Sequence, residues 1–211
     1  MKTDSGQPAA AGGRKSAYVA RNRIKILLAA QEVMAEHGLE CTVEAVSEKA
    51  DIAVSTIYKH FETRDTLFQE ALIVAFRDWE DWALRQIPQG ATDLEHFVLP
   101  ARLLMHIPET HPTYAKLIAS QPGIGLKVIT TITLQMNAVA LKLAKAGILK
   151  TDDLEIRLRN LQGAMLQAIE HRLANPSSAV ADADKALEIA LTMIGLTASQ
   201  SKKLCTGPLE L

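Results

Sequence analysis

The sequence predicts an all-α fold. Three observations carry this. Ala and Leu dominate, and apolar residues recur every three to four positions. Val, Ile and Thr do not alternate with polar residues over a strand's length; the β-prone run 129–133 sits inside an Ala/Leu/Lys-rich stretch that reads as helix. Prolines are absent between Pro8 and Pro88 and between Pro122 and Pro176, while four fall from Pro100 to Pro122. A proline in a helix interior costs about 3 kcal/mol. Long helices therefore belong in the empty intervals and short, broken ones in the middle.

Residues 1–16 read as a disordered tail, small, polar and Gly-rich, with too little apolar surface to pack. About nine helices follow, at roughly 18–37, 43–50, 54–61, 64–86, 92–107, 111–119, 124–146, 152–174 and 179–199. The first carries Ile24, Leu27, Leu28, Met34 and Ala35 on one face, and Gly38 offers it a left-handed stop. Thr42 suits the N-cap of the second, with Glu44 near its positive end and Val43, Val46 and Ala50 inward. The third begins near Val54, and only Ile57 and Phe61 can face a core. Thr63 caps the fourth, which opens on Arg64. Pro100 should kink or split the fifth. The chain after Ser199 reads as loose.

At 211 residues, 48% hydrophobic and 22% charged, the composition is that of a globular chain. Its 23 Lys+Arg oppose 24 Asp+Glu, so only the distribution of charge can argue for a nucleic-acid partner. From Ser5 to Gln31 there is no acid, and Arg14, Lys15, Arg21, Arg23 and Lys25 form a basic arm. Cys41 and Cys205 make no metal spacing and no disulfide framework, and read as reduced thiols of a cytoplasmic protein. Apolar runs reach about five residues, against roughly 20 for a membrane span and roughly 7–15 for a signal peptide. No membrane partner is expected.

The third segment holds the most informative chemistry. Ser55, Thr56, Tyr58, Lys59 and His60 point away from Ile57 and Phe61. They offer hydroxyls, an ammonium and an imidazole with no acid among them, donors suited to phosphate oxygens and base edges. Two short helices, the second donor-rich, describe a helix-turn-helix; a helical hairpin with a polar face fits the same spacing.

The stretch 50–67, ADIAVSTIYKHFETRDTL, closely resembles the DNA-binding signature of the tetracycline-repressor (TetR) family of bacterial transcriptional regulators. The family pattern places Thr, an aliphatic residue, Tyr, any residue, His and Phe in succession, then a basic residue, an acid and Leu. Here those places hold Thr56, Ile57, Tyr58, Lys59, His60, Phe61, Arg64, Asp65 and Leu67. The match spans about residues 18–68. Three positions depart from it: Asp51 replaces the turn Gly, Ala53 replaces the capping Ser, and Arg64 replaces Lys.

The resemblance implies a helix-turn-helix DNA-binding domain over 17–66 and a larger ligand-binding and dimerisation domain over 67–211. It implies that Tyr58, Lys59 and Arg64 reach phosphates, with His60 near the backbone. Ser55 and Thr56 become base-edge readers, Val54 meets a thymine methyl, and Thr42 serves a phosphate at its helix N-terminus. Arg14, Lys15, Arg21 and Arg23 form either an arm on DNA or a solvated terminus.

The resemblance also implies a pocket within about 90–170. Candidate lining residues are Trp82, Phe97, Met105, His106, Tyr114, Met136 and Met165, a set that suits a hydrophobic or aromatic ligand; plain core packing is the alternative for each. His96, His106 and His111 lack metal-ligand spacing, so no cofactor is expected. Leu158, Leu161, Met165 and Ile169 form one late apolar stripe, with Leu154, and Leu187, Leu191 and Ile194 form another. They serve either the subunit's own core or, by resemblance, a four-helix dimer bundle, which is the reading taken here.

The sequence thus reads as a DNA-binding regulator: a homodimeric repressor released from a palindromic double-stranded operator by a small-molecule effector. Rivals are a ligand-independent or activating regulator, and a protein-interaction module with a vestigial helix-turn-helix. No nucleophile elbow, phosphate loop or paired-carboxylate constellation supports an enzyme.

Overall fold

A computed structural model describes residues 10–120, 136–175, 177, 180–207 and 209. Among these the chain is all-helical, with eleven helices and no strand. It divides into two compact units, 1–71 and 72–211, with the division inside one continuous helix.

The first unit contains α1 (Ala10–His37), a 3-10 turn (Gly38–Glu40), α2 (Val43–Ala50), α3 (Val54–His60) and the start of α4 (Arg64–Arg85). Helix α1 begins at Ala10, so residues 10–16 are not the loose tail expected of them; residues 1–9 lie outside the described residues. Adding a turn to an existing helix avoids the cost of nucleation, and the alanines and Arg14–Lys15 outweigh two glycines. The expected apolar face of α1 is partly corrected. Leu27 and Met34 are buried, but Ile24 and Leu28 are exposed, and Ile26, Ala30 and Val33 take their places. The run 26–30 is apolar all round, so periodicity alone offers two overlapping stripes. Buried Gln31 marks the inward side, donating to the Ala71 carbonyl at 3.0 Å.

Local signals fix the short helices. Gly38 has φ 57°. Thr42 Oγ1 accepts from Ala45 N at 3.1 Å. Asp51 takes the left-handed conformation, φ 49° and ψ 50°, in place of the family's Gly. Ser47 Oγ closes the same turn by donating to the Ile52 carbonyl at 2.7 Å. Ala53 caps α3 with no side-chain bond, and Thr63 Oγ1 accepts from Thr66 N at 3.1 Å.

The second unit contains the rest of α4, then α5 (Asp93–Met105), α6 (Ile107–Thr110), α7 (Pro112–Ser120), α8 (136–145), α9 (Leu154–Ala174), α10 (Ala181–Leu191), a 3-10 turn (Thr192–Ile194) and α11 (Ala198–Cys205). The first part of the expected helix 124–146, through residue 135, lies outside the described residues. Helix α5 starts on a reciprocal cap between Thr92 and Glu95 and runs through Pro100 unbroken. The bond to Thr92 holds the exposed Glu95 carboxyl below the usual carboxylate range.

The expected last helix, 179–199, is two helices. Gly195, at φ 100°, ends the first, and a Cβ there would stand 3.0 Å from Lys150 N. Thr197 and Gln200 form a second capping box and start α11. The chain after Ser199 is therefore helical to Cys205, not loose, and Ser201 and Cys205 are buried.

An ionic network crosses this unit's core. Buried Arg102 meets Asp184 in two bonds, Nε to Oδ1 at 2.7 Å and Nη2 to Oδ2 at 2.8 Å. His106 Nε2 lies 3.1 Å from the same Oδ1. Arg172 donates to the Met105 carbonyl at 2.6 Å and pairs with Glu109. Four helices, α5, α6, α9 and α10, supply these groups. Burial raises the Asp184 carboxyl, but the bonds from Arg102 and His106 more than reverse this and leave it below its ordinary range. The buried Cys205 thiol is pushed up to about 11 by burial and by Asp184.

Candidate nucleic-acid interface and ligand cavity

Helix α3 is two turns long and marginal alone. Ile57 and the following Phe61 anchor it, each 1% exposed. Ser55, Tyr58 and Lys59 are exposed, at i, i+3 and i+4 on one face; Val54, Thr56 and His60 are half-buried. Among the described residues, no partner takes the Ser55, Thr56 or Tyr58 hydroxyls or the Lys59 ammonium. A face of uncommitted donors on a fixed helix can meet acceptors from another molecule.

Arg23 and Arg64, both expected to reach DNA, have partners within the chain while their side chains stay 37% and 46% exposed. Arg23 Nη1 donates to the His60 carbonyl at 2.8 Å, its Nη2 pairs with Glu70, and its guanidinium lies 4.4 Å from the Phe61 ring centroid. A cation at a helix C-terminus is favourable, so Arg23 holds the end of α3. Arg64 donates to the Cys41 carbonyl from Nη2 at 2.8 Å and from Nε at 3.3 Å, and sits 5.0 Å over Phe68. It braces the start of α4 against the turn before α2. Burial raises the Cys41 thiol, with Arg64 opposing. Sequence reasoning missed the bracing role of both arginines. The aromatic residues beneath them, Phe61 and Phe68, were the available signal.

Within the second unit, two apolar cavities share a wall. One, about 30 Å³, is lined by residues that include Ala101, Leu104, Asn137, Leu158, Leu161, Gln162 and Met165. The other, about 190 Å³, has Glu80 and His96 in its lining. Trp79, Phe97, Pro100 and Met136 line both. Burial, with Asp81 beside it, raises the Glu80 carboxyl.

Of the expected pocket residues, Phe97, Met136 and Met165 line these cavities. Met105 and His106 do not: both are buried, and they belong to the ionic network. Trp82 and Tyr114 flank His111 instead, with ring centroids 4.6 Å and 5.5 Å from it. Burial lowers the His111 imidazole and raises the Tyr114 phenol, helped there by Asp78. Trp79, one turn from Trp82 on α4, is a cavity residue absent from the expected pocket set.

The expected dimer stripes are corrected. Leu158, Leu161, Met165, Ile169, Leu187, Leu191 and Ile194 are all within 8% of complete burial inside the chain's own core. They have no surface left for a partner. The outward faces of α9 and α10 carry Ile156, Gly163, Gln167 and Ile189 instead, and Met193 is exposed on the 3-10 turn that follows.

Residues 26–71 match the family model for bacterial regulatory proteins of the tetR family. No curated protein matches the chain by sequence. Among solved structures, RolR in complex with resorcinol aligns at a TM-score of 0.73 and 20% identity, over 93% of this chain and 98% of that one. A transcriptional regulator from Rhodococcus sp. Rha1 aligns at 0.64 and 22%, over 82% and 95%. A TetR family transcription regulator from Marinobacter aquaeolei VT8 aligns at 0.63 and 17%, over 86% and 98%. The chain thus matches the family model over its N-terminal segment and shares the fold of these regulators. No described helix is long and apolar enough to cross a membrane.

Proposed function

We propose that this chain is a homodimeric transcriptional repressor that leaves a palindromic operator when a small hydrophobic or aromatic molecule binds its second unit. The observation that carries the reading is the uncommitted donor face of α3. Tyr58 and Lys59 reach phosphates, Ser55 and Thr56 read base edges, and Val54 meets a thymine methyl. Thr42 and the α2 N-terminus receive a further phosphate. The outward faces of α9 and α10 pair two subunits about a two-fold axis, so two α3 helices meet two half-sites.

Helix α4 belongs to both units, and Trp79 on it lines both cavities. A ligand there acts on DNA affinity only as far as it prefers one α4 placement to another. The resorcinol in the similar RolR structure is a small aromatic of the class these apolar walls suit. The reading places the protein in the bacterial cytoplasm, with its operator.

Selection of bound sites from a random DNA pool tests this. The wild type should enrich a palindrome, and the Tyr58→Ala, Lys59→Ala double variant should not. Enrichment of nothing by the wild type at low salt, where phosphate contacts are strongest, would refute it.

A further inference from the structure

Trp79 is 1% exposed, and its Nε1 is buried with no hydrogen-bond partner among the described residues. A buried indole N–H ordinarily finds an acceptor. Its side chain is also part of the wall shared by the two cavities. Of the four shared side chains, only Trp79 carries a hydrogen-bond donor; Phe97, Pro100 and Met136 offer none.

The remaining lining sets the ligand's size and charge. The larger cavity, about 190 Å³, exceeds the roughly 150 Å³ apolar cavity that accepts benzene in another protein. That is room for one ring with a small substituent. Among the described residues no Lys or Arg lines either cavity, and Glu80 lines the larger one. A carboxylate would lie beside that acid with no Lys or Arg among the described lining residues to pair with it, which is unfavourable.

We propose that this cavity binds a neutral single-ring aromatic bearing an oxygen, the phenol class, and that the Trp79 Nε1–H donates to that oxygen. Phe97, Pro100 and Met136 pack against the ring, and Trp79 is the specificity determinant. This rests on the ligand half of the proposed function and not on its DNA half.

Calorimetric titration of the full chain with phenol, toluene and benzoate tests it. Phenol should bind about tenfold more tightly than toluene, the effect of one well-placed bond, and benzoate should not bind. Trp79→Phe should bring phenol to the level of toluene. An unchanged phenol-to-toluene ratio in Trp79→Phe overturns the assignment, as does equal loss of both ligands. So does a wild type that binds neither, whatever the DNA selection finds.

A second measurement needs no substitution at Trp79. The chain has two tryptophans, hence two indole N–H resonances, and Trp82→Phe identifies which is which. Phenol should shift the Trp79 signal downfield and toluene should not. No shift with saturating phenol overturns the proposal.

Discussion

Arg23→Met separates a brace from a DNA contact. The substitution keeps an apolar stem and removes the guanidinium. A hydrogen bond to a charged group is worth about 1.5–3 kcal/mol. Arg23 is 37% exposed, so screening brings its bond to His60 down to about 1 kcal/mol. The pair with Glu70 adds about 0–1 kcal/mol, and the contact with Phe61 about 0.5–1 kcal/mol. These overlap, and the total loss should be about 1–2 kcal/mol. Urea unfolding measures it, and Glu70→Gln should recover little in the Arg23→Met background. Operator affinity should fall as α3 loses its hold, while the dependence of log K on log salt keeps its slope. A phosphate contact would instead reduce that slope by about 0.9. Unchanged stability together with a flatter slope would refute the bracing role and return Arg23 to the DNA.

The core and the helix ends carry three further expectations. Asp184→Asn leaves Arg102 buried without a counter-charge and should cost about 3–5 kcal/mol, whereas the Arg102→Met, Asp184→Leu pair should recover most of that; denaturant midpoints decide it. The folded Asp184 carboxyl lies below its ordinary value. Its stabilisation is therefore present above about pH 4 and lost as pH falls through the lowered value, so Asp184→Asn should flatten the acid limb of the stability curve. Ala53 stands at the α3 N-cap with φ −56° and ψ 139° and no side-chain bond. Ala53→Ser should supply that bond and raise stability by about 0.5–1 kcal/mol, read as a shift in the thermal midpoint.

The helix-turn-helix was legible because its signals are local. Thr42, Gly38, Thr63 and the Ile57–Phe61 pair act within a turn or two, and helix α2 lies where the spacing predicts it. The partners of Arg23 and Arg64 were not legible. A basic residue beside a DNA-binding motif suggests phosphate, and only the tertiary fold reveals His60, Glu70 and Cys41 within reach. The late stripes failed for a related reason. Leu158 and Leu187 are apolar at helical spacing whether they face a partner or the chain's own interior, and periodicity does not distinguish these. His106 looked like a pocket residue because its acceptor, Asp184, lies 78 positions later.

That separation has a consequence for biosynthesis. Arg102 leaves the ribosome 82 residues before Asp184, an interval of about 4–16 s at ordinary elongation rates. Until then the guanidinium has only water to neutralise it, and burying it alone would cost several kcal/mol. Pairing of the buried Arg102 on α5 therefore waits until α10 has been synthesised. The second unit closes late and as a whole, and a chain stopped short of residue 181 would carry a cation in the place where its core should form.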